Sequence, residues 1–171
     1  GLPFCAYRKL GDTLVRAVCQ SNTTIYHTKG FQDSGFVFAP YHLDNNTVFI
    51  PEDSVLVTNF EGVFKQPTLQ TKFFEEDYES YLNLVNSAIS DIKATPLEKV
   101  VVSRKISAEI HKSPLALFTT ILDSYPNAFC YLWHHPKIGT WCGATPESFL
   151  KLDNNSIQTM ALAGTLWAEE D

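Results

Sequence analysis

AFCYLWHHPKIGTWCGAT, Ala128 to Thr145, is the stretch on which the reading of this chain turns. Its two halves, AFCYLWHH and GTWCGAT, are short aromatic and β-branched runs, and Pro136-Lys137 between them is a turn signal. Two such runs about a tight turn predict an antiparallel hairpin. On a strand the neighbours His134 and His135 point to opposite faces, so they are not expected to share a metal ion.

The same signature continues downstream. SFLKL (Ser148 to Leu152) and SIQTMALAG (Ser156 to Gly164) flank Asp153-Asn154-Asn155 and predict a second hairpin. Upstream, Ser113-Pro114 is a helix start, with Ser as N-cap, Pro at the first helical position, and Leu115, Phe118, Ile121 and Leu122 facing inward. EKVVVSRKI (Glu98 to Ile106), with three consecutive valines, predicts a strand. Before Pro96, Tyr78, Tyr81, Leu82, Val85, Ala88, Ile89 and Ile92 recur at steps of three and four, and Glu75, Glu76 and Asp77 sit where a helix dipole favours acids. This predicts the longest helix, its stripe a packing face without chemistry of its own.

Toward the N-terminus, TTIYHT (Thr23 to Thr28), GFVFAPY (Gly35 to Tyr41), NTVFIP (Asn46 to Pro51) and SVLVTN (Ser54 to Asn59) read as strands bounded by Gly, Pro, Asn and Asp. Asp12 is expected to cap a short helix with Leu14, Val15 and Val18 on one face. Strands, a long helix, a strand, a shorter helix and a meander make an α+β fold with a largely antiparallel sheet and helices on its outer face.

Composition narrows the function. The 171 residues are 44% hydrophobic and 19% charged, the balance of one soluble globular domain. No apolar run approaches the roughly 20 residues that cross a bilayer, and no basic and apolar leader opens the chain, so neither membrane nor secretion is expected. A formal charge of -6 argues against a nucleic-acid partner, whose phosphates need cations. Cys5, Cys19, Cys130 and Cys142 show no zinc-ligand spacing and read as reduced thiols in a cytoplasmic protein.

Two ionisable residues stand apart. Lys99 opens the valine run and Glu147 lies between Pro146 and Ser148-Phe149-Leu150. Their ordinary readings are a lysine that snorkels to water and a solvated turn acid. Enclosure in a dry pocket would lower the lysine and raise the acid, giving a general base and a general acid on either side of a small molecule.

KVVVSR (Lys99 to Arg104), GATPESFLK (Gly143 to Lys151) and MALAGT (Met160 to Thr165), in this order, resemble the chorismate-utilising enzymes, the isochorismate synthases most of all. GFVFAP also looks like an early segment of that family, and the resemblance runs from about Gly35 to Thr165. It implies helices outside two antiparallel sheets around a deep cleft, of which residues 1–171 would form one side: the N-terminal portion of a single catalytic domain. It implies that Lys99 activates a water for attack at C2 of chorismate and that Glu147 protonates the hydroxyl leaving C4. Ala163, Gly164 and Thr165 would be a small-residue loop against the substrate ring. The family's Mg2+ holds the C1 carboxylate, through ligands expected after the MALAGT motif; Glu169, Glu170 and Asp171 are not read as ligands.

Anthranilate synthases, the ammonia-using relatives, carry glutamine where this chain has Lys99, so the resemblance implies a water-using member; menaquinone synthesis is the expected pathway, with the siderophore branch open. Salicylate synthases share the lysine and remain an alternative, as does a non-catalytic α+β binding domain. The chain stops just past the predicted strand that ends at Gly164, which suggests a fragment boundary. Residues 1–171 alone are then expected to be inactive and to self-associate through an apolar face along Met160 to Leu166.

Overall fold

The computed structural model describes residues 1–28, 30, 32–40, 42, 47–60, 62 and 78–162. They fall into two compact units, residues 1–67 with 112–171, and residues 68–111.

The first unit is built on a five-stranded sheet. Its strands are β1 (Phe4–Arg8), β2 (Leu14–Cys19), β6 (Ser54–Asn59), β7 (Phe129–His135) and β8 (Gly139–Thr145), in the order β6-β2-β1-β7-β8. Every pairing is antiparallel, and β7 and β8 are the hairpin expected around Pro136-Lys137, with Trp133 opposite Trp141. Gly139 opens β8 at φ 139°, a backbone angle open to glycine and strained for other residues.

Both faces of this sheet are covered, each by a different partner. On one face lies α2 (Pro114–Ser124), whose Phe118 and Leu122 are buried against Val15, Ala128, Cys130 and Leu132. Burying each of these two helix side chains is worth about 1.5–3 kcal/mol. On the other face sit β3 (Tyr26–His27), β4 (Gly35–Phe38) and β5 (Val48–Pro51), a three-stranded sheet in the order β3-β5-β4. Its Val48 and Ile50 pack with Cys5, Val18 and Trp133, flanked by Tyr7, Phe36, Phe38 and Tyr131. Phe38 stacks on Trp133 at 4.7 Å between ring centroids, and Trp141 meets Trp133 edge-on at 5.4 Å. Alternation along β7 therefore sorts small and aliphatic side chains under the helix and aromatic ones under the second sheet.

α2 begins as the sequence predicts. The Ser113 hydroxyl accepts the N–H of Ala116 at 3.2 Å, and Pro114 follows it. Its inward face is narrower than expected: Phe118, Ile121 and Leu122 meet the core, whereas Leu115, in the first turn, is 66% exposed. At the other end the guanidinium of Arg8, only 4% exposed, donates to the carbonyl oxygens of Leu122 at 3.1 Å and Tyr125 at 2.5 Å, and lies 3.5 Å from the Cys130 sulfur. A buried cation thus closes the helix C-terminus, where carbonyls lack helical partners.

The expected short helix after Asp12 is strand β2. Asp12 does cap, but in a turn: its carboxylate accepts the N–H of Leu14 at 3.0 Å, and Gly11 adopts φ 73°. Val15 and Val18 then face opposite cores, a short apolar run that spacing alone cannot tell from a helix. The second expected hairpin forms as β9 (Lys151–Asp153) and β10 (Ser156–Gln158), shorter than predicted, with Asn154 at φ 48° in the turn.

In the second unit, α1 (Tyr78–Ala94) realises the predicted helix, with Tyr81, Leu82, Val85, Ala88 and Ile92 half-buried along one stripe; Tyr78 and Ile89, expected in that stripe, are exposed. The expected acids Glu75, Glu76 and Asp77 lie outside the described residues. The helix closes ahead of Pro96, with both the N–H and the hydroxyl of Thr95 donating to the Asp91 carbonyl. Glu98 to Ile106, predicted as a strand, is not one. It carries no ladder pairing among the described residues, and Val101 is 79% exposed. A run of valines suits a half-buried pleated surface, and without a neighbour to supply one it stays irregular. Arg104 in this run sits 5.9 Å over the ring of Tyr78.

Candidate functional site

The segment around Glu147 is built by a chain of hydrogen bonds that starts where β8 stops. Thr145, the last residue of β8, accepts the Glu147 N–H on its hydroxyl at 3.2 Å, turning the chain across Pro146. Three successive residues are then tied to the segment that follows β10. The Leu162 N–H donates to Glu147 Oε1 at 3.2 Å, the Met160 N–H to the Ser148 carbonyl at 3.0 Å, and the Thr159 hydroxyl to the Phe149 carbonyl at 2.7 Å. The side chain of Glu147 is exposed. Its carboxylate is thereby fixed to the residue just before Ala163.

Ala163, Gly164 and Thr165 themselves lie outside the described residues, as do Glu169, Glu170 and Asp171. Lys99 is exposed, in the irregular run of the second unit. Lys99 and Glu147 belong to different units.

The histidine pair occupies two environments, as alternation along β7 requires. His134 Nδ1 meets the Thr140 hydroxyl at 2.8 Å, and burial, with a smaller contribution from His135, pushes its pKa down. His135 is fully buried beside Trp133; its Nδ1 accepts the Lys137 N–H at 3.2 Å, which leaves the proton on Nε2, 3.4 Å from the Thr24 carbonyl. Among the described residues no three His, Cys, Asp or Glu side chains gather as a cation site. The ligands that the resemblance implies for Mg2+ are expected after the MALAGT motif, outside the described residues. All four cysteines are free thiols.

A cleft of about 740 Å³ lies elsewhere in the first unit. Phe4, Ala6, Cys19 and Leu132 are among its walls, and it lies beside the N-terminus of α2. It is predominantly apolar and includes no carboxylate. No helix among the described residues is long and apolar enough to cross a membrane.

Sequence reasoning singled out Glu147 and missed its holders. A threonine two residues ahead of an acid, with proline between, is a turn signal that could have found Thr145. Nothing in the sequence announces the Leu162 N–H, a backbone group brought near by the second hairpin.

Comparison with known proteins bears on the same segments. The family model described as chorismate binding enzyme matches residues 40–171. Anthranilate synthase component 1 of Thermus thermophilus is 29% identical over 94 residues, which are 54% of this chain and 20% of that protein. The match thus spans about a fifth of the length of that curated relative. No solved structure matches the chain. With residues 40–171 inside the family match, most of its length, the chain belongs to the chorismate-binding enzymes.

Proposed function

We propose that the protein carrying this chain is an isochorismate synthase, which converts chorismate to isochorismate, in menaquinone synthesis. The observation that carries the choice is Lys99. At the position where ammonia-using relatives are expected to have glutamine, this chain supplies an amine able to take a proton from water.

In this reading Lys99 and Glu147 face one cleft, on either side of the substrate ring. The Lys99 amine accepts a proton as the water oxygen bonds to C2. The double bonds shift, the C4–O bond breaks, and Glu147 gives its proton to the departing hydroxyl, which leaves as water. One water enters and one leaves, so the reaction is an isomerisation, and proton exchange with solvent resets both groups. Because Oε1 accepts from the Leu162 N–H, the proton of the acid form resides on Oε2. Ala163, Gly164 and Thr165, entered directly from Leu162, would let the backbone approach the ring without a side chain in the way. Mg2+ would supply charge to hold the substrate's C1 carboxylate.

A second reading follows from the anthranilate synthase likeness. It predicts amination of chorismate and is disfavoured by Lys99. Salicylate synthesis, with pyruvate loss after the same first step, is the other alternative. Incubation of the intact gene product with chorismate and Mg2+, with and without ammonium, followed by chromatography, distinguishes them. Isochorismate is the expected product in both samples; anthranilate with ammonium, or salicylate, would overturn the proposal.

A further inference from the structure

We infer that Thr145 is a positioning residue for Glu147, an inference that rests on the reading of Glu147 as the general acid. The carboxyl group of an acid catalyst must be fixed in two respects, where its backbone stands and which oxygen faces the substrate. The Leu162 N–H meets the second need by occupying Oε1. Thr145 meets the first. Its hydroxyl holds the Glu147 N–H at 3.2 Å, at the end of a strand anchored in the five-stranded sheet by the pairing of Thr145 with Phe129.

Pro146 between them has a ring-fixed φ and no N–H, so it adds stiffness to the turn and no hydrogen bond of its own. Beyond Glu147 the chain is tied to the segment after the second hairpin by the Met160 and Thr159 bonds. Glu147 is therefore suspended between two anchors, and the Thr145 hydroxyl is the bond on the side of the main sheet. Thr145 touches no reacting atom in this scheme. Its effect passes through the acid's backbone, and displacement of a catalytic group by about 1 Å is enough to cost on the order of 10²-fold in rate.

The test uses Thr145→Val, which keeps the branched shape and removes the hydroxyl, and Thr145→Ser, which keeps the hydroxyl. Rate is read as chorismate consumption by the intact gene product, so the result does not depend on which product forms. Thr145→Val is expected to lower kcat about 10- to 100-fold with KM within about twofold of the parent, and Thr145→Ser to restore most of kcat. Parental kcat in Thr145→Val, or equal loss in both variants, overturns the inference. Glu147→Gln, measured alongside, separates the two levels. If it is slow while Thr145→Val is not, only the positioning role fails. If Glu147→Gln turns over at the parental rate, the acid role fails, and the positioning role fails with it.

Discussion

Replacing Arg8 by methionine tests whether the buried cation at the end of α2 holds the first unit together. The parent guanidinium gives one hydrogen bond each to the Leu122 and Tyr125 carbonyls. Bonds from a charged donor are worth about 1.5–3 kcal/mol each, so their loss costs about 3–6 kcal/mol before any offset. The offset is real, because methionine relieves the desolvation of a charge with no carboxylate partner among the described ion pairs. It also fills much of the volume with apolar surface. A net loss of about 2–3 kcal/mol is expected, at the upper end of what single substitutions do. With a urea slope of about 2 kcal/mol per molar, the unfolding midpoint should fall by about 1–1.5 M. Urea titration followed by tryptophan fluorescence reads it directly, since Trp133 lies in the opposite core of the same sheet. Arg16→Met, on the neighbouring strand and half-exposed, serves as the control and should move the midpoint little. A midpoint for Arg8→Met equal to or above the parent's would show that burying the guanidinium costs as much as its bonds contribute, and the capping role would be wrong.

Two further outcomes are expected. Lys99→Ala and Glu147→Gln should each lower the rate of chorismate conversion by about 10²–10⁴-fold while leaving substrate affinity near the parent's; steady-state kinetics decide this, and either variant retaining its kcat drops out of the mechanism. Burial raises the thiol pKa of Cys5, Cys130 and Cys142, so above the ordinary thiol value of about 8.5 the unfolded chain loses protons that the folded one keeps. Stability should therefore be full below about pH 8.5 and fall as pH rises past it, visible as a declining urea midpoint between pH 8 and 10; a flat profile would count against buried thiols as its source.

How much of this was legible beforehand depended on whether a residue's role was local. SVLVTN became β6 with the predicted ends, and Ser113-Pro114 opened α2, because β-branched runs and caps act over a few residues. LVRAVC was misread as helical because a six-residue run fits both periods, and its pairing to β1 and β6 settled the matter. The valine run after Lys99 had the propensity for a strand and no ladder partner among the described residues, so propensity alone could not make one. Arg8 was not singled out in the sequence, because its place comes from the C-terminus of a helix more than a hundred residues later. Glu147 stood out by its neighbours. What holds it, a hydroxyl two residues back and an N–H fifteen residues on, is a matter of register between hairpins.

The order β6-β2-β1-β7-β8 also sets a schedule for the ribosome. β1, β2 and β6 all lie between Phe4 and Asn59, but β1 takes its second neighbour from β7, which begins at Phe129. Translation at about 5–20 residues per second needs roughly 4–14 s to cover that interval. Until then β1 has one unpaired edge, and the surfaces that will meet Trp133 on one side and Leu132 on the other have no cover from β7. The nascent chain must therefore spend seconds with the middle of its main sheet open, and chaperone capture of chains stalled between Asn59 and Phe129 is where this topology should show itself in the cell.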